Sequence, residues 1–566
     1  MADPGGAGAP KNLNASLFPT PDPSSPFPEV AADPSGFGPP WVGVCFSGGG
    51  SRALSAEMGQ LRGLAQLGLL PSIGWMSTVS GGTWAGTLWN WAPASIADST
   101  LLGPVELDPG KLEWDSGPAG RNLRILDPHA IGAAATRLGI EEMLAQAIDL
   151  YLHGTPISEV WPRGIGKLVL EPFGLGDDPA RYFTWTPWWR DHALLEHNRG
   201  LRPDDFVTTR PDRPYLITNS TLFYPPTPPG ATAVARRPGQ GAAPWEVGYE
   251  FETTPISAGI PPPFPLAGPP QPGQAGSSDL GGGWIDPFAV GSVAPSAVSP
   301  ERRFTVPTPP LRFRLSDAAG LSSLAFAYDV IDAAHRSGIH YLDDMVPTVQ
   351  VWPVLNAATL PRNAARPYLF GDGGNLENQG IMALLRRRLP TVLAFVNTEI
   401  ALAKQGPNGE VVVDSDLPPL FGLEWSASKQ AYVDISPTSP FRFNRVFDRA
   451  TFDDLRAQLW SSAAAGGPAF ALQRNVRVYA NAHYGVADGT ATIAWSYLNP
   501  TPAWSKNLST AVQDWMKVEF WKYDTFPNYS TVEQLHLDAR QVNLLAHLAC
   551  WSVTKSFAGG LPTGGS

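Results

Sequence analysis

Two residues of the sequence, Ser80 and Asp372, have the types and surroundings that nucleophilic acyl chemistry requires. Ser80 stands between an apolar run that ends at Val79 and a glycine pair, Gly81 and Gly82. A serine at such a strand-to-helix junction lies on a sharp turn that projects its hydroxyl above the edge of a sheet. The helix that begins there favours negative charge developing beside the serine. We therefore interpret this turn as a nucleophile elbow.

A serine nucleophile also needs a base, and donors for the negative charge that forms on the substrate's carbonyl oxygen. Asp372 is the candidate base, because flanking glycines allow close approach and an apolar surround would raise its proton affinity. Gly48-Gly49-Gly50 could turn its backbone N–H groups into one concavity, which suits an oxyanion hole. Arg52, two residues beyond, adds a positive charge that could hold a phosphate.

These residues lie in repeated patterns of strand, glycine turn and helix. Residues 41–46 and 73–79 are typical of buried strands, each followed by a glycine turn and a helical pattern. The pattern returns at residues 368–374, with a helix predicted over 377–388 and a strand over 391–396. The predicted fold class is α/β, with a mainly parallel central sheet flanked by helices.

The remaining regions differ from these segments in composition. Residues 1–40 are dominated by Gly, Ala, Pro, Ser and Asp and predict an extended N-terminal arm. Residues 41–566 are predicted as a single catalytic domain, with a Pro- and aromatic-rich cap or loop region inserted over about 180–310. A linker between two independent domains is the alternative for that region, although apolar segments interrupt it repeatedly.

Composition excludes several classes of function. The formal net charge is −11 and no strong basic stripe is present, so nucleic acid is not an expected partner. Cys45 and Cys550 are too few for a disulfide framework or a zinc site, and the nine histidines are scattered. We predict no cofactor and no metal. Because we find neither a signal peptide nor a membrane-spanning segment, we expect a cytoplasmic location or peripheral contact with a lipid surface.

Four segments together carry a family resemblance that spans roughly residues 41–396. They are Ser47-Gly48-Gly49-Gly50-Ser51-Arg52-Ala53, Ser80-Gly81-Gly82-Thr83-Trp84, Phe251-Glu252-Thr253-Thr254-Pro255 and Asp372-Gly373-Gly374. These segments are similar to the catalytic domain of cytosolic phospholipase A2, to fungal phospholipases B and, more widely, to patatin-like acyl hydrolases.

The resemblance implies a role for each candidate residue. Ser80 would be the nucleophile and Asp372 its general base, so that the two form a Ser-Asp dyad. Gly49 and Gly50 would donate to the oxyanion, and Arg52 would bind the substrate phosphate. The implied activity is that of a phospholipase A2 or lysophospholipase, which cleaves glycerophospholipid or lysophospholipid esters through an acyl-enzyme intermediate.

Two features depart from the family pattern. Thr78 stands two residues before the nucleophile, where the family usually has glycine, and its branched side chain is expected to crowd the elbow. Only about 40 residues precede the first catalytic strand. We therefore expect the calcium-binding, membrane-docking domain of the animal enzymes, and calcium-triggered recruitment with it, to be absent. In its place, we predict that Trp185, Trp188 and Trp189 help the chain to contact lipid surfaces.

Other interpretations of the same residues stay open. A Ser-His-Asp esterase or lipase would need a late histidine such as His483 or His547. An acyltransferase, or a hydrolase of non-phospholipid esters, would use the same dyad. From outside the enzymes, the alternative is a catalytically inactive lipid-binding module. A dinucleotide-binding protein is disfavoured, because Gly48-Gly49-Gly50 lacks the spaced third glycine and the later acidic partner.

Overall fold

The computed structural model describes residues 10–20, 27–33, 41–177, 181–224, 247–263, 280–354, 357 and 364–562. The strands in these ranges are β1 (Asn12–Pro19), β2 (Val42–Phe46), β3 (Trp75–Val79), β4 (Tyr182–Thr184), β5 (Phe206–Thr208), β6 (Tyr215–Tyr224), β7 (Val247–Thr253), β8 (Ala258–Pro263), β9 (Gly281–Ile285), β10 (Arg303–Pro307), β11 (Thr348–Val351), β12 (Arg366–Gly371), β13 (Thr391–Val396), β14 (Ala403–Gln405), β15 (Glu410–Val412), β16 (Leu423–Ser426), β17 (Ala431–Asp434), β18 (Ala469–Val478) and β19 (Gly489–Tyr497).

The helices in the same ranges are α1 (Pro28–Ala32), α2 (Gly50–Gln66), α3 (Gly81–Trp91), α4 (Asp98–Leu101), α5 (Ile140–Leu152), α6 (Ile157–Ile165), α7 (Pro187–Trp189), α8 (Leu315–Ser322), α9 (Ala325–Arg336), α10 (Ile381–Arg386), α11 (Arg449–Ala464), α12 (Pro502–Ser505), α13 (Thr510–Val518), α14 (Phe520–Tyr523) and α15 (Ala539–Ser556). Within the described ranges, no helix combines the length and the apolar character needed to cross a membrane.

Within the described residues the main sheet has 13 strands. Eleven of them follow the order β10-β1-β9-β8-β7-β6-β3-β2-β13-β19-β18, while β12 pairs with β6 and β11. The central strands β6, β3, β2, β13 and β19 run parallel to one another. Antiparallel strands extend this centre on both sides, through β18 at one edge and β7 at the other. The predicted α/β fold class is confirmed, with the parallel strands in the middle of a mixed sheet.

Helices cover both faces of the parallel centre. Val44 and Phe46 of β2 pack on one face in the core that includes α2, α3 and α15. Cys45, between them, points to the opposite face and packs in the core that includes α10 and α11. A strand covered on both faces is apolar at every position instead of alternating, which is the pattern of residues 42–46.

Parts of the predicted arm and of the predicted cap are strands of the main sheet. β1 pairs with β9 and β10, and its buried residues Leu13, Ala15 and Leu17 alternate with more exposed ones. Between residues 215 and 307, β6 to β10 extend the sheet, and residues 225–246 and 264–279 lie outside the described ranges. The sheet therefore takes in residues before Trp41, and the single-domain organisation of 41–566 stays a prediction.

The helix predicted over residues 377–388 is shorter than expected. α10 begins only at Ile381, after Gly380 takes a left-handed φ of 70°. The Glu377 carboxylate accepts hydrogen bonds from the backbone N–H groups of Gln379, at 2.6 Å, and Ile381, at 3.0 Å. Residues 377–380 thus form a capped turn that delays the helix, because the side chain satisfies N–H groups that a helix start leaves free.

Candidate active site

Ser80 occupies a strained junction between β3 and α3. Its φ of 51° and ψ of −122° are uncommon for a residue with a side chain, and only 4% of Ser80 is exposed. The next residue has no room for a side chain, because a Cβ on Gly81 would lie 2.6 Å from the Gly50 backbone nitrogen. The turn therefore has the form predicted for a nucleophile elbow.

The structure accommodates Thr78, which departs from the family pattern. Its hydroxyl accepts a hydrogen bond from the Thr83 hydroxyl at 3.1 Å. Its methyl carbon lies 2.9 Å from the position that a Cβ would take on Gly86, within α3. The expected crowding is thus relieved by a glycine in the following helix and not by one before the nucleophile.

Asp372 reaches Ser80 from a strand that runs opposite to its neighbour. β12 is antiparallel to β6, with Gly371 paired to Thr221. Asp372 follows directly, and its Oδ2 accepts a hydrogen bond from the Ser80 hydroxyl at 2.9 Å. The Thr221 hydroxyl donates to the Asp372 carbonyl at 2.7 Å, and the Gly374 N–H donates to Oδ1 at 2.8 Å. The carboxylate is therefore fixed from both its backbone and its side chain.

Burial changes the acidity of Asp372. Loss of water around the carboxyl raises its pKa from 3.8 to about 6, although hydrogen bonds from Gly374, Ser80 and Ala325 oppose the shift. A carboxylate with this pKa is mostly ionised at neutral pH, yet it holds a proton far better than an exposed aspartate. That combination suits a general base.

The same shift predicts that Asp372 lowers the stability of the fold at neutral pH. Well below pH 4 the carboxyl is protonated in both the folded and the unfolded chain. As pH rises from about 4 to about 6 the unfolded chain ionises while the folded carboxyl still holds its proton, which removes up to about 3 kcal/mol from the free energy of unfolding. Melting curves of wild type and Asp372→Asn should diverge between about pH 4 and 6 and stay a constant distance apart above that, with the variant gaining stability relative to wild type.

An exposed carboxylate provides the control for this comparison. The Asp434 side chain is 94% exposed, so Asp434→Asn removes a carboxylate charge without removing a buried carboxyl. If Asp372→Asn and wild type differed by a constant amount from pH 4 to 8, burial would not be perturbing the carboxyl in the folded chain.

A second layer of contacts, which the sequence did not predict, surrounds the pair. The Ser80 backbone N–H donates to the Ser322 hydroxyl at 3.0 Å, and that hydroxyl donates to the Asn219 carbonyl at 2.6 Å. The Ala325 N–H, at the start of α9, points to Oδ2 of Asp372 at 3.3 Å. Residues 322–325 form an ordinary apolar and serine stretch, so no sequence signal marks them.

The glycine loop lies against the elbow at the start of α2. The Gly48 N–H is already used, because it donates to the Asn378 carbonyl at 3.1 Å. Gly49 and Gly50 take φ values of 136° and 56°, and neither N–H makes a hydrogen bond to any described residue. A Cβ on Gly48 would lie 3.0 Å from the Ser80 Cβ, so the loop and the serine are in direct contact. The loop that contacts the serine therefore carries two backbone N–H groups without a partner among the described residues.

Arg52 is buried next to this loop, with 4% of its surface exposed. Its Nε donates to the Asn397 carbonyl at 3.0 Å, and its Nη1 donates to the Tyr529 carbonyl and, at 2.9 Å, to the Thr531 hydroxyl. Nη1 also lies 3.5 Å from Glu399. Burial lowers the pKa of Arg52 to about 10, so the guanidinium stays charged at neutral pH. Its Nη2 makes no hydrogen bond to a described residue and lies against Gly49.

Both rival histidines have partners away from Ser80. Nε2 of His483 lies 2.8 Å from the Gly248 carbonyl, and its ring stacks between Tyr249 and Phe443. Burial lowers its pKa to about 4. His547 lies within α15, where burial and the nearby Arg62 charge lower its pKa to about 3. Neither ring is a hydrogen-bond partner of the Ser80 hydroxyl, which donates to Asp372.

Comparisons with known proteins give similarity to one group. No protein-family model matches the chain. Human cytosolic phospholipase A2 zeta is 45% identical over 67 residues, and the mouse protein of that name is 41% identical over 68 residues. Each match covers 12% of this chain and 8% of the relative, so only a small part of either relative's length is spanned.

Solved structures show a remote likeness to the same group. Human GIVD cytosolic phospholipase A2 is 12% identical, with a TM-score of 0.41, over 92% of this chain and 61% of its own. The same human protein in complex with methyl gamma-linolenyl fluorophosphonate aligns over 91% of this chain and 58% of its own, at 12% identity and a TM-score of 0.37. Likeness at this level carries no argument about function.

Proposed function

We propose that this chain is a lipid acyl hydrolase that cleaves carboxylic esters with Ser80 as nucleophile and Asp372 as general base. The observation that carries the proposal is the 2.9 Å hydrogen bond from the buried Ser80 hydroxyl to the Asp372 carboxylate, next to a glycine loop with two backbone N–H groups that have no partner in the described part of the chain. The short sequence match to cytosolic phospholipase A2 zeta supports a substrate of the phospholipid class. A likeness to fungal phospholipase B or patatin-like proteins stays a prediction.

The reaction proceeds in two steps that use the same groups. The Ser80 oxygen attacks the ester carbonyl carbon while its proton passes to Asp372, and Gly49 and Gly50 donate to the oxyanion. This attack forms a tetrahedral intermediate. Its collapse breaks the bond between the carbonyl carbon and the alcohol oxygen, and the alcohol leaves with the proton from Asp372. Water then attacks the acyl-serine, Asp372 takes its proton, and release of the fatty acid returns that proton to Ser80.

Product analysis tests the substrate class. Phospholipid, lysophospholipid and neutral-lipid panels should be incubated with wild type and with Ser80→Ala, and the products identified by mass spectrometry. Free fatty acid from phospholipid or lysophospholipid, absent with Ser80→Ala, is the expected result. Fatty acid from neutral lipids alone would contradict the phospholipid assignment, and acyl groups recovered on an added alcohol would indicate an acyltransferase.

Arg52 is proposed as the ligand for the substrate phosphate. Its Nη2 faces Gly49, while its Nε and Nη1 are held by residues 397, 529 and 531. Arg52→Ala should reduce turnover of a phospholipid by at least about tenfold more than turnover of an uncharged nitrophenyl ester, because only the phospholipid offers an anion to the guanidinium. Kinetics on both substrates measure this ratio.

The alternative role for Arg52 is to shape the glycine loop. In that case Arg52→Ala would impair both substrates equally. Arg52→Lys separates the two roles further. Lysine keeps the positive charge, but it lacks the planar fork of N–H donors that contacts two backbone carbonyls and one hydroxyl.

Contact with a lipid surface is proposed through an exposed apolar ledge, defined as Trp515, Val518, Phe520 and Trp521. Phe520 is 63% exposed and Trp521 is 59% exposed. Aromatic side chains of this kind partition to the membrane interface. The segment that follows the ledge in sequence lies next to the candidate active site, because the Tyr529 carbonyl accepts a hydrogen bond from Arg52. Lys517 and Lys522 are balanced by neighbouring acids, which suits a zwitterionic surface.

The predicted tryptophan cluster differs from this ledge in exposure. Trp188 is 62% exposed, whereas Trp185 and Trp189 are half-buried and pack against the core. A role for the tryptophan cluster in lipid contact stays a prediction, which the vesicle experiment below also tests.

Vesicle flotation with phosphatidylcholine compares the two surfaces, with Ser80→Ala as the background so that no products form. The double change Phe520→Ser with Trp521→Ser should weaken vesicle binding by at least about tenfold, since two largely exposed rings would lose their transfer to the interface. Trp188→Ala is the control, because it removes an aromatic ring of similar exposure from the tryptophan cluster and leaves the ledge intact. Loss of binding with Trp188→Ala, and none with the ledge variant, would assign the contact to the tryptophan cluster instead.

A further inference from the structure

Three side chains outside the candidate active site come together at the far end of α9. His335 lies in the last turn of that helix, and His340 and Asp343 follow in the next loop. Nε2 of His335 lies 2.5 Å from Oδ1 of Asp343, and the two imidazole ring centroids are 4.8 Å apart. The candidate ligand atoms of all three residues lie within 4.8 Å of one another.

A hydrogen bond between His335 and Asp343 explains only part of this arrangement. It accounts for the short contact between those two side chains, but it gives no reason for a second imidazole beside the first. Two imidazole nitrogens and one carboxylate oxygen are a donor set that favours Zn²⁺, whereas Ca²⁺ takes six to eight oxygens and Mg²⁺ prefers oxygen ligands. We propose that His335, His340 and Asp343 form a binding site for Zn²⁺, which departs from the sequence prediction of scattered histidines and no metal.

The geometry requires little rearrangement to accept an ion. Ligand atoms at about 2.0 to 2.2 Å from zinc lie roughly 3.3 to 3.6 Å from one another in a tetrahedral site. His335 and Asp343 are already closer than that, and His340 is exposed, so its side chain is free to rotate inward. Three protein ligands leave one position of a tetrahedral site for water.

The loop that carries His340 and Asp343 is held independently of an ion. Tyr341 stacks on Tyr151 of α5 with a centroid separation of 4.7 Å and an interplanar angle of 21°. The ligands are therefore presented from a helix end and an anchored loop. The other end of α9 carries the Ala325 N–H that points to Asp372, about 15 Å along the helix, so the zinc site is separate from the dyad.

Calorimetric titration of the full chain, freed of metal by a chelator, tests the site with Zn²⁺ as the probe. The expected result is one Zn²⁺ bound per chain, with no heat from Mg²⁺ or Ca²⁺. His340→Ala should weaken binding by at least about tenfold, because it removes one of three ligands. His153→Ala is the matched control, since His153 is an exposed histidine beside a carboxylate, 3.1 Å from Asp149, and belongs to no such group of three ligands among the described residues.

Two results would overturn the proposal. One is no Zn²⁺ binding by the wild-type chain, and the other is equal affinity in wild type and His340→Ala. Because His340 is exposed, its replacement should leave the melting temperature without metal unchanged. Visible absorption of bound Co²⁺ provides a second readout, which should vanish in Asp343→Asn if the carboxylate is a ligand.

Discussion

Ser80→Ala and Asp372→Asn should each lower ester turnover by at least about a thousandfold. The double variant should turn over ester no more slowly than the slower of the two single variants. The reason is that nucleophile and base act on one proton. Without the Ser80 oxygen no acyl-enzyme forms, and without the carboxylate the hydroxyl keeps its proton at the moment of attack. Initial rates on a soluble nitrophenyl ester measure the effect without a lipid surface.

The fold should survive both changes, which separates this effect from simple damage. Ser80→Ala removes one hydroxyl, and asparagine in place of Asp372 has nearly the same shape. His483→Ala is the control for the alternative mechanism, because His483 is buried among aromatic rings away from the dyad. Turnover lost in His483→Ala with an unchanged melting temperature, and retained in Asp372→Asn, would support a histidine base and contradict the dyad.

The second large effect is expected at Gly81. A Cβ at this position would lie 2.6 Å from the Gly50 nitrogen and would also meet the Gly50 carbonyl oxygen. Both atoms belong to the backbone, so relief requires movement of the loop that presents the oxyanion donors. Gly81→Ala should therefore lower the rate of the chemical step by about a hundredfold or more, the loss typical of a misplaced oxyanion donor.

Gly74→Ala is the matched control for this change. Gly74 lies just before β3 on the same segment, and a Cβ there would meet nothing within 4 Å. Far-ultraviolet circular dichroism and melting temperatures should show both variants folded, with Gly81→Ala losing about 1 to 3 kcal/mol of stability from overpacking. Normal turnover in a folded Gly81→Ala would show that contact between the elbow and the glycine loop is not needed.

The sequence could predict the parts of the site that depend on local backbone geometry. A serine and then glycines after each apolar strand indicated where β2 and β3 end, and parallel neighbours bring those ends to one edge of the sheet. The residues at these two turns therefore fell close together as expected. Asp372 was also brought to Ser80, although β12 runs antiparallel to β6.

Other parts depended on contacts that are distant in sequence. The pairing of β1 with β9 joins residues more than 260 positions apart, and the short alternation of Leu13, Ala15 and Leu17 lies within a stretch of polar residues. Ser322 has no neighbour in sequence that indicates its role, because that role is created when the end of α8 packs beside Ser80. The partners that bury Arg52 come from residues 397 to 531, in a region without recognisable motifs.

Covalent labelling tests the central proposal most directly. The chain should be incubated with an alkyl fluorophosphonate, and intact-protein and peptide mass spectra recorded for wild type, Ser80→Ala and Asp372→Asn. One adduct per chain, on the peptide that contains Ser80, absent in Ser80→Ala and formed much more slowly in Asp372→Asn, is the predicted result. An adduct on another residue, or labelling of Ser80 at the wild-type rate in Asp372→Asn, would contradict a Ser80 nucleophile activated by Asp372.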